Sequence, residues 1–263
     1  MTDSVLAGEV PLAYTAAPGS GTPVLLVHGF GSDFAMNWER TGWVRALADR
    51  PVIGCDLRGH GRSGKPHDPA AYTPEAMVAD LVRLLDAVGA ERVDVVGYSM
   101  GARLAWELAL AHPGRVRRAV LGGFGPADAF AGADLDRLGA DEGSPFGPVF
   151  RAGAALPGAD LAALEACARG QAAHPFRPDP APRGVPLLFA AGDRDDLAQG
   201  AAVLAARTGG TLARVPGRDH RTAVAAQAMK RAAAQFLAAG DETPGGRAAH
   251  GGSPGADGAA RTA

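Results

Sequence analysis

The chain is 263 residues long and 47% hydrophobic, and its 26 basic residues nearly balance its 28 acidic ones. That is enough apolar material to bury the core of one large α/β domain and carry an inserted segment. The balance leaves no basic patch for nucleic acid and no acidic run for cations, and no apolar stretch is long enough to span a bilayer. Cys55 and Cys167 stand in no metal-type spacing and read as free thiols of a reducing compartment. The polar start, Met1-Thr2-Asp3-Ser4, has neither the cationic nor the apolar region of a secretory signal. A cytoplasmic protein acting on a small molecule is the expectation, with no nucleic-acid or membrane partner; oligomeric state is left open.

Taken in order, Glu9 to Tyr14 alternates weakly and predicts an edge strand, followed by a turn at Pro18-Gly19-Ser20-Gly21. Pro23 to Val27 is continuously apolar, as a strand covered on both faces should be, and ends in His28-Gly29-Phe30-Gly31. A loop with Asn37, Trp38 and Trp43 leads through a short helical piece to a second buried strand, Pro51 to Cys55. That strand is closed by Asp56-Leu57-Arg58-Gly59-His60-Gly61-Arg62-Ser63-Gly64. Thr73-Pro74-Glu75 combines a capping hydroxyl, a first-turn proline and an acid, which predicts a helix. Its stripe is Met77, Leu81, Leu84, Leu85 and Val88, and Gly89 stops it.

A strand at Arg92 to Val96 and a helix at Ala102 to Ala111 flank Gly97-Tyr98-Ser99-Met100-Gly101, and Val116 to Gly122 is a further strand. This alternation predicts a doubly wound, mostly parallel sheet. From Phe124 the pattern breaks into an Ala-, Gly-, Pro- and Asp-rich stretch, 124–183, read as a small, mainly helical lid or cap insertion. The core, 1–123 and 184–239, resumes with a strand at Val185 to Ala190, then Gly192-Asp193-Arg194-Asp195-Asp196. A helix at Ala198 to Arg207, a strand at Leu212 to Val215, Pro216-Gly217-Arg218-Asp219-His220 and a helix from Thr222 to Ala238 complete it. The remainder, 240–263, is too poor in apolar residues to order itself and is expected to be a disordered tail.

Strand, Gly-x-Ser-x-Gly, helix is the context of a nucleophile elbow, a turn so tight that the residues two before and two after the serine must be small. Loops carrying Ser99, an acid cluster around Asp195, and His220 each follow a strand, so all emerge at the carboxyl edge where open α/β sheets place their sites. A serine hydroxyl needs an imidazole to take its proton, and a carboxylate on the other ring nitrogen fixes the tautomer. Gly59 to Gly64 fits Gly-x-Gly-x-x-Gly, and with Lys65 nearly fits a P-loop. Pro66 stands where the magnesium-binding hydroxyl would be, and Lys65-Pro66-His67-Asp68-Pro69 cannot open a helix toward a phosphate.

With its elbow, the His28-Gly29-Phe30-Gly31 loop, the Asp56 to Gly64 turn and the order Ser, Asp, His, the chain resembles the α/β-hydrolase fold superfamily of serine hydrolases up to the tail. The resemblance implies Ser99 as nucleophile, His220 as base, Asp195 as orienting acid, and an oxyanion hole from the N–H groups of Phe30 and Met100, with no cofactor. Asp193, Asp196 and Asp128 are competing carboxylates, and His28 is read as holding its loop. Phe30, Trp38, Trp43, Phe124, Phe146 and Phe150 are candidates for an acyl pocket, with core packing the competing reading for each. The expected activity is hydrolysis of an ester, lactone or similar activated carbonyl. Carbon–carbon bond hydrolases, MenH-like lyases and cofactor-free perhydrolases reuse the same residues, whereas the epoxide hydrolase and haloalkane dehalogenase branches carry an aspartate in place of the serine. A receptor with a slow or vestigial triad is the alternative of another class.

Overall fold

The computed structural model describes residues 1–239, so the tail expected from Gly240 onward lies outside the described residues. The apolar runs become strands of one sheet: β1 (Thr2–Leu6), β2 (Leu12–Ala17), β3 (Val24–Val27), β4 (Val52–Cys55), β5 (Val93–Tyr98), β6 (Val116–Gly122), β7 (Leu187–Gly192) and β8 (Thr211–Val215). Their order across the sheet is β1-β2-β4-β3-β5-β6-β7-β8. The pairings of β1 with β2 and β2 with β4 are antiparallel, and all others are parallel. Every residue of β3, β4 and β5 is buried, as sheets covered on both faces require.

One face packs against α2 (Pro74–Ala87), α3 (Met100–Ala111) and α6 (Ala201–Thr208), through Leu81, Leu84, Leu104, Trp106, Leu108 and Leu204. The other packs against α1 (Trp43–Ala46) and α7 (Gln227–Ala238), through Trp43, Met229, Ala233 and Leu237. Between β6 and β7 the chain forms α4 (Phe146–Ala154) and α5 (Leu161–Ala172). Thr73 caps α2 as its sequence predicts, its hydroxyl accepting from Ala76 N at 3.1 Å. Among the described residues, no helix is long and apolar enough to cross a membrane.

The structure departs from the sequence reading at two ends of the sheet. The edge strand expected at Glu9 to Tyr14 starts only at Leu12 and runs to Ala17 as β2, an inner strand; β1 takes the edge, and it was missed because most of it is exposed and lacks an apolar period. The last helix starts at Gln227 rather than Thr222. Asp219 and Thr222 close a turn on each other, with Thr222 N donating to Asp219 Oδ1 at 2.9 Å, and Ala226 is extended at φ −68° and ψ 135°. Away from the carboxyl edge, Asp94 is wholly buried, with Arg117 Nε at 2.8 Å and Arg50 Nη2 at 2.5 Å. That ion cluster belongs to the end of β5 remote from Ser99.

Candidate active site

Strand β5 ends at Tyr98 and α3 begins at Met100, which leaves Ser99 alone to make the turn. Its backbone sits at φ 56° and ψ −119°, and it is the one non-glycine with positive φ among the described residues. Such a conformation costs about 1–3 kcal/mol and persists only where the surroundings enforce it. Here the surroundings are close backbone. A Cβ on Gly97 would lie 2.2 Å from Gly101 O, and one on Gly101 would lie 2.1 Å from Val27 O. Ser99 N donates to Gly122 O at 2.8 Å, tying the turn to β6.

The structure brings the three expected side chains together. Ser99 Oγ lies 2.9 Å from His220 Nε2, and Asp195 Oδ1 lies 2.8 Å from His220 Nδ1. An ionised carboxylate only accepts, so Nδ1 carries the proton and the lone pair of Nε2 faces the hydroxyl. The Asp195 side chain is fully buried, and Oδ1 also accepts from the N–H groups of Leu197 and Ala198, each at 3.1 Å. The competing carboxylates are occupied elsewhere: Asp193 accepts from Gly217 N, Asp196 from Gln199 Nε2 and Asp128 from Phe130 N. Tyr98, which the sequence reading did not single out, donates its hydroxyl to His220 O at 2.5 Å. Its ring centroid is 5.5 Å from the imidazole, so the residue directly before Ser99 holds the loop of His220. Its place beside the serine was the available signal.

Phe30 and Met100 line a cavity with Ser99. The loop that carries Phe30 is fixed by His28, whose Nδ1 donates to Gly29 O at 2.8 Å while Nε2 accepts from Leu57 N at 2.9 Å. His28 thus holds two loops, as its sequence context suggests, and burial pushes its pKa down. His60, edge-on to both His28 and Phe30, donates from Nδ1 to Arg58 O at 3.0 Å. Burial lowers its pKa from the ordinary 6.5 to about 3.

The folded state therefore binds His60 neutral, while the unfolded chain takes up a proton once pH falls below 6.5. Its contribution to stability is complete above that pH and is lost progressively down to about pH 3, at about 1.4 kcal/mol per pH unit. His60→Gln should be less stable at pH 7, yet its urea midpoint should fall less between pH 7 and pH 5 than that of the unaltered chain. Equal slopes would assign the acid lability to other groups.

Two cavities meet at Ser99, Phe30 and Val149. The enclosed one, ≈ 60 Å³, is walled by Phe124, Phe130, Phe146 and Phe176. The open one, ≈ 260 Å³, is bounded by Met36, Thr41, His220 and Arg221. Phe124 and Phe146 line the enclosed cavity, as do Phe130, Phe176 and Val149, which the sequence reading did not name as pocket candidates. Three candidates need correction, because they line neither cavity. Trp38 and Trp43 are wholly buried and pack edge-on against each other at 5.4 Å in the core beneath the opposite face of the sheet. Phe150 is buried behind the wall, stacked on Phe30 at 6.1 Å, and lines neither cavity.

Helix α4 rests directly on the Phe30 loop. A Cβ on Gly31 would lie 2.6 Å from Gly153 Cα, so the two backbones touch where neither residue has a side chain. Helix α5 is held from the other side by Arg103 of α3, whose guanidinium donates to Gln171 O and His174 O at the helix C-terminus. Cations are favoured at that end of a helix dipole. Burial lowers the Arg103 pKa, opposed by Glu107 3.8 Å away.

A mostly parallel eight-stranded sheet with its serine on a strained strand-to-helix turn is the architecture of the α/β-hydrolase fold, and the chain has that fold. The family model described as alpha/beta hydrolase fold matches residues 22–141. Epoxide hydrolase 2 of Siraitia grosvenorii is 37% identical over 107 residues, which are 41% of this chain and 34% of that protein. The 2-hydroxymuconate semialdehyde hydrolase of Pseudomonas putida is 41% identical over 105 residues, 40% of this chain and 37% of that one. The match thus spans about a third of the length of these curated relatives. The enol-lactonase of Burkholderia xenovorans LB400 superposes with a TM-score of 0.75 at 21% identity, over 89% of this chain and 99% of that one, a likeness of fold.

Proposed function

We propose that the chain is a serine hydrolase that opens an ester, lactone or similar activated carbonyl through an acyl-enzyme on Ser99. The observation that carries this reading is the unbroken hydrogen-bonded series Ser99–His220–Asp195 on a strained elbow. Ser99 Oγ attacks the carbonyl carbon and its proton passes to His220 Nε2. Asp195 keeps Nδ1 protonated and stabilises the imidazolium. The carbonyl oxygen becomes an oxyanion held by the N–H groups of Phe30 and Met100. Its collapse breaks the bond to the leaving group, which takes the proton from His220. Water, deprotonated by the same imidazole, then frees the acid and restores Ser99.

The serine at the elbow sets this reading apart from the chemistry named for the Siraitia relative, since the epoxide hydrolase branch carries an aspartate there. The name of the Pseudomonas putida relative supports a second reading, cleavage of a carbon–carbon bond beside a carbonyl on the same three residues. Both readings need a reactive Ser99. A fluorophosphonate probe should label the protein one to one, with the adduct on the peptide containing Ser99, and His220→Ala should slow labelling by about 10²-fold or more. An adduct on another residue, or no adduct, overturns both.

A further inference from the structure

The two cavities flanking Ser99 are unequal, and His220 borders only the open one. That asymmetry fixes which half of a substrate lies on which side, given the serine-hydrolase reading on which this inference rests. When the tetrahedral intermediate collapses, the carbon–oxygen bond to the alcohol breaks and its electron pair stays on the alcohol oxygen. That oxygen takes the proton that His220 Nε2 received from Ser99, so it must lie on the His220 side. The acyl chain, on the opposite side of the carbonyl carbon, then enters the enclosed cavity between Phe30 and the phenylalanine walls.

We infer that the substrates are esters of short, apolar acids with larger alcohols. A water-sized group needs about 10–15 Å³ of such space. The enclosed cavity, at ≈ 60 Å³, therefore holds a chain of about four to six non-hydrogen atoms. The open cavity is more than four times as large and admits polar as well as apolar alcohols, with Ser32, Thr41 and Arg221 beside Met36 and Val224. The small side cannot simply swell. Phe124 packs against Phe176 at 4.8 Å and Phe130 against Phe146 at 4.6 Å, and each ring in such a pair fixes its neighbour.

The test varies one half of the ester at a time on the full chain: p-nitrophenyl acetate, butyrate, hexanoate and octanoate, then methyl, benzyl and naphthylmethyl acetates followed by acid release. The expected result is kcat/KM steady to butyrate or hexanoate and at least tenfold lower at octanoate, with the acetates of the larger alcohols accepted. Phe176→Ala, which removes a partly exposed wall, should raise octanoate relative to acetate about tenfold; Phe130→Ala serves the same purpose if that variant does not fold. A flat or rising acyl profile, refusal of the larger alcohols, or wall variants that leave the profile unmoved overturns the inference alone. If Ser99 takes no fluorophosphonate, the serine-hydrolase reading falls and the inference with it. If Ser99 is labelled but no ester turns over, the inference fails while the reactive serine stands.

Discussion

Ser99→Ala should abolish ester turnover, with a loss in kcat of about 10⁶-fold where nucleophile, base and acid act as a unit. The same position should reveal the strain it stores. Ser99→Gly, which accepts φ 56° freely, should be as inactive as the alanine variant but more stable by about 1 kcal/mol, after the entropy cost of glycine is set against the 1–3 kcal/mol of strain. Activity and stability are thus expected to move in opposite directions at one residue. Ester release and chemical denaturation on the two variants check this. Turnover within about a hundredfold of the unaltered chain would remove Ser99 from the nucleophile's role, because oxyanion stabilisation and binding alone leave far less.

Gly101→Ala should have the largest effect on the fold. The added methyl group would lie 2.1 Å from Val27 O and 2.5 Å from His28 O, both backbone atoms of the strand and loop beside the elbow. No rotamer change relieves a clash with backbone, so β3 and α3 must separate. A cost above about 3 kcal/mol follows, which for a chain of this size is a fall in Tm of about 6–12 °C. Activity should fall in the folded fraction as well, because His28 and Gly29 precede Phe30 and any displacement shifts the proposed oxyanion donor. Gly114→Ala is the control: a Cβ there meets nothing within 4 Å, and the change should be near neutral. Equal stability of the two variants would show that the elbow does not need the close approach of α3 to β3.

The elbow was legible because two constraints coincide in one short run. Gly97 and Gly101 must be small for the strand and helix to meet, and Ser99 between them has a role only if they are. His220 and Asp195 were legible through position, each on a loop after a parallel strand, and the choice of Asp195 over its neighbours became plain only from its hydrogen bonds. What the sequence hid is of two kinds. Strand β1 owes its form to pairing with β2 rather than to a buried face, so no apolar period marks it. The cavity walls are single aromatic residues in an Ala- and Gly-rich stretch, and hydrophobicity alone cannot separate Phe130 and Phe176, which face the cavity, from Trp38, which fills the core.

The contact of Gly31 with Gly153 makes the roof of this protein part of its foundations. A chimera that replaced residues 123–186 with the equivalent region of a cousin would import a new seat for the loop bearing Phe30, and any bulkier residue at the touching point would tip that loop away from the nucleophile. Substitution at the helical turn around Gly153 should therefore be tolerated only together with a matching change at Gly31.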